Sequence, residues 1–112
     1  SDKIKKISTK IEKIKIRKNM GWCNDPKHKK YNSLINIKEK IKHEKLYRKD
    51  AKYDLIIIID YNLVKPKPFK GSAIFIHLTN NYKPTAGCIA LRKNDMLVLL
   101  KLINKKTKIK IN

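Results

Sequence analysis

Glycine is scarce in this chain: three in 112 residues, Gly21, Gly71 and Gly87. Glycines so far apart cannot build a phosphate-cradling G-x-x-x-x-G-K loop, which excludes that route to nucleotide binding. Aromatic residues are also few, at 7% of the chain, and no RNA-stacking motif accompanies them. No apolar run exceeds the five residues Leu55–Ile59, so no segment reaches the length of a membrane-spanning helix. The apolar core of a secretory leader is missing as well. The two cysteines, Cys23 and Cys88, allow one disulfide at most. With His28, His43 and His77 they are the potential metal ligands, but Cys23 and His28 have no matching second pair. Structural zinc takes four ligands at paired spacing, so no metal or other cofactor is expected.

Acidic residues are outnumbered 29 to 9 by lysine and arginine, leaving a formal charge of +20. A surface of that sign attracts polyanions, whether nucleic acid, anionic lipid or cell-wall polymer. The cations are nearly all lysine, however, and are dispersed among abundant isoleucine and asparagine. Those three residues share AT-rich codons, so biased base composition accounts for much of the excess. A non-catalytic basic protein binding an anionic polymer, cell wall or nucleic acid, is kept as the alternative function; specific nucleic-acid binding is not expected. A hydrophobic content of 41% suffices for one domain over residues 1–112, read as a monomer.

Along the chain, residues 1–10 read as a poorly anchored basic start. Ile11 to Ile16 partly alternates with charge, as a half-exposed strand does. Asn19 to Lys30, with Gly21, Asn24, Asp25 and Pro26, reads as a loop. Ile37 to Leu46 reads as a short helix or irregular segment. Tyr53 to Tyr61 holds four consecutive isoleucines, the pattern of a central strand buried on both faces. Asn62 to Gly71 is a connecting loop, Ala73 to Leu78 a second strand, and Lys93 to Asn104 a helix with a broad apolar face and Asp95 in its first turn. Thr107 to Ile111 alternates again, as an edge or closing strand does. The fold class is mainly β with one packed C-terminal helix.

The stretch GSAIFIHLTNNYKPTAGCIAL, Gly71 to Leu91, concentrates the chemistry. It sets His77 at the end of an apolar run and Cys88 directly after a glycine. A thiol becomes a strong nucleophile when an imidazole takes its proton or stabilises its thiolate. His77 and Cys88 are therefore the candidate catalytic pair, base and nucleophile, against the plainer reading of Cys88 as a core thiol and His77 as a strand-end histidine. Gly87 lets the backbone bend, and the N–H groups of Gly87 and Cys88 are the natural oxyanion donors. Thr85 orders the loop through a local side-chain bond. Cys23 reads as a structural, partly buried thiol.

The order His77, loop, Thr85-Ala86-Gly87-Cys88-Ile89 resembles the signature of the L,D-transpeptidase catalytic domain (YkuD-like) family. GWCNDP (Gly21 to Pro26), Tyr31-Asn32, HEKLYRKD (His43 to Asp50) and YDLIIIIDYN (Tyr53 to Asn62) extend the similarity to a peptidoglycan transpeptidase branch with a TAGC motif, over roughly residues 11–111. The resemblance implies a β-sandwich or mixed sheet, and cysteine-dependent acyl transfer on peptidoglycan stem peptides, to an amine (transpeptidase) or to water (carboxypeptidase). It implies that Trp22, Asp25, His43, Glu44 and Tyr47 belong to blocks that can line the substrate cleft; Trp22 as core and Glu44 as a surface charge are the plainer alternatives. In this family the group that orients the histidine can be a backbone carbonyl; Thr79 or Asn80 can also supply an acceptor, and the sequence does not choose. Many members carry an arginine after Gly-Cys-Ile where this chain has Ala90, which removes one expected substrate contact. The family works outside the cytoplasmic membrane, periplasmic or associated with the wall. A removed leader or a truncated start, with a first strand or two upstream, is therefore expected.

Overall fold

The computed structural model describes residues 7–37, 40–79 and 88–110. Six short strands and one helix follow in order: β1 (Met20–Cys23), β2 (Leu34–Asn36), β3 (His43–Lys45), β4 (Ile56–Ile58), β5 (Phe75–Leu78), β6 (Ile89–Leu91) and α1 (Lys93–Leu102). They form two three-stranded sheets, ordered β2-β1-β3 and β4-β5-β6. The first is antiparallel throughout; in the second, β4 runs antiparallel to β5 and β6 parallel to it.

Alternation of side chains explains how the layers stack. From β5, Phe75 turns to the first sheet, where it meets Trp22 of β1 edge-on with ring centroids 5.1 Å apart. Leu46, Tyr53 and Ala73 complete that inter-sheet core, with Ile56 and Cys88 packed against it. Such an aromatic pair adds about 0.5–1.5 kcal/mol to the burial of its area. The alternate residues Ile76 and Leu78 turn the other way, onto Met96 and Leu100 of α1, with Ile57, Ile89 and Leu91 at the margins. The domain is thus sheet, sheet, helix, with β5 in the middle layer. All four residues of β5 are buried.

Several sequence expectations change here. The isoleucine run is an edge strand, not a central one: β4 pairs only with β5 among the described residues, and Ile58 is 46% exposed. The strand buried on both faces is β5, which carries His77. Met20–Cys23, read as part of a loop, is the central strand of the first sheet. Pairing on both sides overrides the weak strand propensity of its glycine. Where a helix was one option, His43–Lys45 is the edge strand β3. Residues 11–16 and 107–110 form no strand. The helix is found over Lys93–Leu102, with Asp95 in its first turn and Lys101 in its last, both complementing the helix dipole.

Two residues with positive φ hold the loops around the inter-sheet core. Asn32 (φ 57°) and Ala73 (φ 56°) are both left-handed and both buried. Asn32 tolerates that conformation well, whereas Ala73 bears a cost of about 1–2 kcal/mol. The Asn32 side chain is a hub. Its Oδ1 accepts from Trp22 Nε1 (2.8 Å) and from the Ala73 N–H (3.0 Å), while its Nδ2 donates to the carbonyls of Asn62 (2.6 Å) and Tyr61 (3.2 Å). Four bonds to three segments explain how a primary amide is buried at this depth.

Candidate active site

His77 lies on β5, opposite Ile56 of β4 on one side and Ala90 of β6 on the other. It is 3% exposed. Its Nδ1 is 3.0 Å from the Leu78 carbonyl, a bond that requires the proton on Nδ1 and leaves Nε2 as an acceptor. Nε2 is buried and has no hydrogen-bond partner among the described residues. An imidazole held in this tautomer, with its accepting nitrogen shielded from water, is set up to receive a proton. The orienting group is thus a backbone carbonyl. The carbonyl is that of Leu78, whereas Thr79 is one of the two residues expected to supply the acceptor; its N–H ties the strand end to β6, 2.8 Å from the Leu91 carbonyl. Asn80, the other, lies outside the described residues.

Cys88 is the residue before β6. Parallel pairing sets Ile76 beside Ile89 and His77 beside Ala90. Since Ile89 and Leu91 pack towards the helix, Cys88 and Ala90 take the opposite face, which they share with Phe75 and His77. The half-buried thiol donates to the Ala73 carbonyl at 3.2 Å. Asn32 holds that same residue by its N–H, so the left-handed turn at Ala73 sits between the Asn32 amide and the sulfur that its carbonyl meets. Both cysteines are free thiols, and Cys23 is fully buried rather than partly so.

Tyr53 bridges the pair. Its ring lies edge-on to His77 at 5.8 Å and to Phe75 at 6.0 Å, and its hydroxyl donates a short hydrogen bond to Glu44 of β3. Burial, the bond to Glu44, the Glu44 charge and Cys88 together push the phenol well above its ordinary range. Arg48 and Lys52 stand over the ring at 5.2 and 5.3 Å. Arg48 in turn binds Asp50 with both nitrogens, at 2.9 and 2.6 Å, and holds that carboxyl down at about 2.

The other sequence candidates divide. Trp22 and Glu44 pair across β1 and β3 and share the face turned towards β5. Trp22 is core, its indole N–H spent on Asn32. His43 pairs with Cys23 and lies against Gly21, on the opposite face of that sheet, with Nδ1 2.6 Å from the Ile41 carbonyl. Asp25 forms a turn, accepting from the Lys27 N–H at 3.0 Å. Tyr47 is exposed. Thr85 and Gly87 lie outside the described residues. Sequence reasoning did not single out Tyr53, Asn32 or Ala73. The Tyr31-Asn32 and Tyr53 blocks were noted, but no local signal marks which polar residue reaches across the fold.

A family model for the L,D-transpeptidase catalytic domain (YkuD) matches residues 4–111. The chain belongs to that family. This L,D-transpeptidase domain is accordingly an enzyme of the L,D-transpeptidase kind, and peptidoglycan is the substrate the family implies. Neither the curated proteins nor the solved structures provide a match. Among the described residues, no group of three or more His, Cys, Asp and Glu is gathered to hold a metal ion. Nor, among the described residues, is any helix long and apolar enough to cross a membrane.

Proposed function

We propose that Cys88 is the nucleophile and His77 the general base of acyl transfer on peptidoglycan stem peptides, in a TAGC-type branch of the family. The observation that carries this reading is the state of His77: Nδ1 bound to the Leu78 carbonyl and Nε2 buried and without a partner among the described residues, on the sheet face that holds Cys88. At rest the thiol keeps its proton on the Ala73 carbonyl. Activation moves that proton to His77 Nε2. The thiolate then attacks the carbonyl carbon of an L-centre followed by a D-residue, forming the S–C bond and an oxyanion, which the N–H groups of Gly87 and Cys88 stabilise. Collapse breaks the C–N bond. The D-amino acid leaves with the proton held by His77, and a thioester remains. An amine of a second stem, or water, attacks the thioester after losing its proton to His77 and regenerates the thiol. The first acceptor gives a cross-link, the second a shortened stem. The proposal carries with it a location outside the cytoplasmic membrane, periplasmic or associated with the wall, and a monomeric state.

The test is mass spectrometry of tetrapeptide muropeptides incubated with the protein and with Cys88→Ala, both verified as folded by circular dichroism. Loss of the terminal D-residue or appearance of a dimer mass, with Cys88 only, is the expected result. Removing the imidazole by His77→Ala slows the reaction by about 10²–10⁴-fold. Unchanged muropeptides in the presence of the folded protein overturn the proposal and return the polyanion-binding alternative to consideration.

A further inference from the structure

Tyr53 is buried at the junction of both sheets, yet the reaction as written does not use it. Its surroundings are unusual for a core tyrosine. One ring edge meets the His77 imidazole at 5.8 Å, and the Phe75 ring packs against it at 6.0 Å. Two cations, Arg48 at 5.2 Å and Lys52 at 5.3 Å, lie over the ring. The hydroxyl is bound by the half-buried Glu44 carboxylate, and Cys88 is close enough to act on the phenol electrostatically. Among the described residues, Tyr53 is thus surrounded by groups that are charged or can become so: Glu44, Arg48, Lys52, His77 and Cys88, with Asp50 behind Arg48.

This arrangement has two consequences for a Cys–His pair. Nδ1–H of His77 is held by a single carbonyl, and one bond leaves the ring free to pivot about it. The edge of Tyr53 removes that freedom, because its own ring is fixed at the hydroxyl end by Glu44 and on its side by Phe75. The second consequence concerns the thiol: a phenol that donates its hydrogen bond to Glu44 does not offer it to the Cys88 sulfur.

We infer that Tyr53, anchored by Glu44, is a positioning residue for the His77–Cys88 pair: its ring edge fixes the imidazole that receives the thiol proton. The inference rests on the proposed roles of Cys88 and His77.

The experiment follows the rate of Cys88 alkylation by iodoacetamide against pH, in the full chain with Cys23→Ala as background, for the reference protein, Glu44→Gln and Tyr53→Phe. Glu44→Gln keeps an acceptor for the hydroxyl, so the anchor and the rate are retained. Tyr53→Phe keeps the ring but frees its far end, and the rate near neutral pH falls about 10-fold, with kcat on muropeptides falling in parallel and KM unchanged. A merely structural role lowers the melting temperature of Tyr53→Phe and leaves its alkylation rate and kcat in place, which overturns the inference. Should Tyr53→Phe fail to fold, Glu44→Ala, which removes only the anchor, decides: the same fall supports the inference and an unchanged rate overturns it. If the reference protein itself shows the profile of an ordinary thiol, unaffected by His77→Ala, the underlying assignment of Cys88 and His77 fails instead, a result distinguishable from the first.

Discussion

Replacing Asn32 by alanine removes four hydrogen bonds at once, and the cost can be worked from their partners. Trp22 Nε1 and the Ala73 N–H are left as buried donors without acceptors. Each such orphan costs about 1–3 kcal/mol. The carbonyls of Asn62 and Tyr61 lie nearer the surface and can turn to water, so they contribute little. Alanine also sits less comfortably than asparagine at a φ of 57°, adding roughly 1 kcal/mol. The whole comes to about 4 kcal/mol, a large share of the 5–15 kcal/mol typical of a domain. In a domain of this size that lowers the melting temperature by about 15–20 °C. Thermal unfolding followed by circular dichroism and by Trp22 fluorescence measures it directly. Asn32→Asp is the informative companion, since it keeps both acceptor functions and loses only the donors. Its new carboxyl faces two carbonyls, so it stays protonated in the folded chain above the ordinary carboxyl value of about 4. Its folded pKa is therefore raised, and the variant's stability is full at acid pH and falls as pH rises towards that raised value. An Asn32→Ala protein melting within about 5 °C of the reference refutes the hub, because two buried donors cannot be orphaned so cheaply.

Further expectations concern other parts of the molecule. The Tyr53 phenol is raised by burial and by Glu44, so ultraviolet titration shows one tyrosine ionising after the others; its contribution to stability is full below the ordinary tyrosine range and is lost only as strong alkali deprotonates it. Asp50 titrates at about 2 in the reference protein, and carboxyl NMR of Arg48→Ala returns it towards 3.8; on this exposed pair, melting at neutral pH changes little. A Cβ at Gly21 meets His43 Cδ2 and Ile37 Cγ1 at 3.0 Å, so Gly21→Ala destabilises by about 1–2 kcal/mol in urea unfolding.

What the sequence revealed of this domain was mostly local. The apolar run ending in His77 reads as a strand because its residues are β-branched or aromatic, and the pattern from Met96 to Leu100 reads as a helix for equally local reasons. The isoleucines of β4 misled because four in a row suggest two buried faces, whereas their exposure depends on whether another strand lies beyond them. Met20–Cys23 was hidden by the turn residues that follow it: pairing with two distant segments, not propensity, makes it a strand. The proposed pair, His77 and Cys88, is picked out in the sequence by the resemblance and by the glycine beside the thiol. Its supports are not. Nothing near Asn32 announces a bond to Ala73, 41 positions away, and nothing near Glu44 announces that its carboxylate will meet Tyr53.

The parallel pairing of β5 and β6 makes the spacing of His77 and Cys88, the proposed base and nucleophile, a property of the sheet ladder. His77 stands beside Ala90 because of backbone bonds between strands, so residues inserted between Thr79 and Cys88 leave the separation of imidazole and sulfur unchanged. A lineage can therefore lengthen that connection while the two residues stay in place. The vulnerability lies elsewhere: a slip of one position in β6 hands the thiol's place to an isoleucine and turns the sulfur towards the helix.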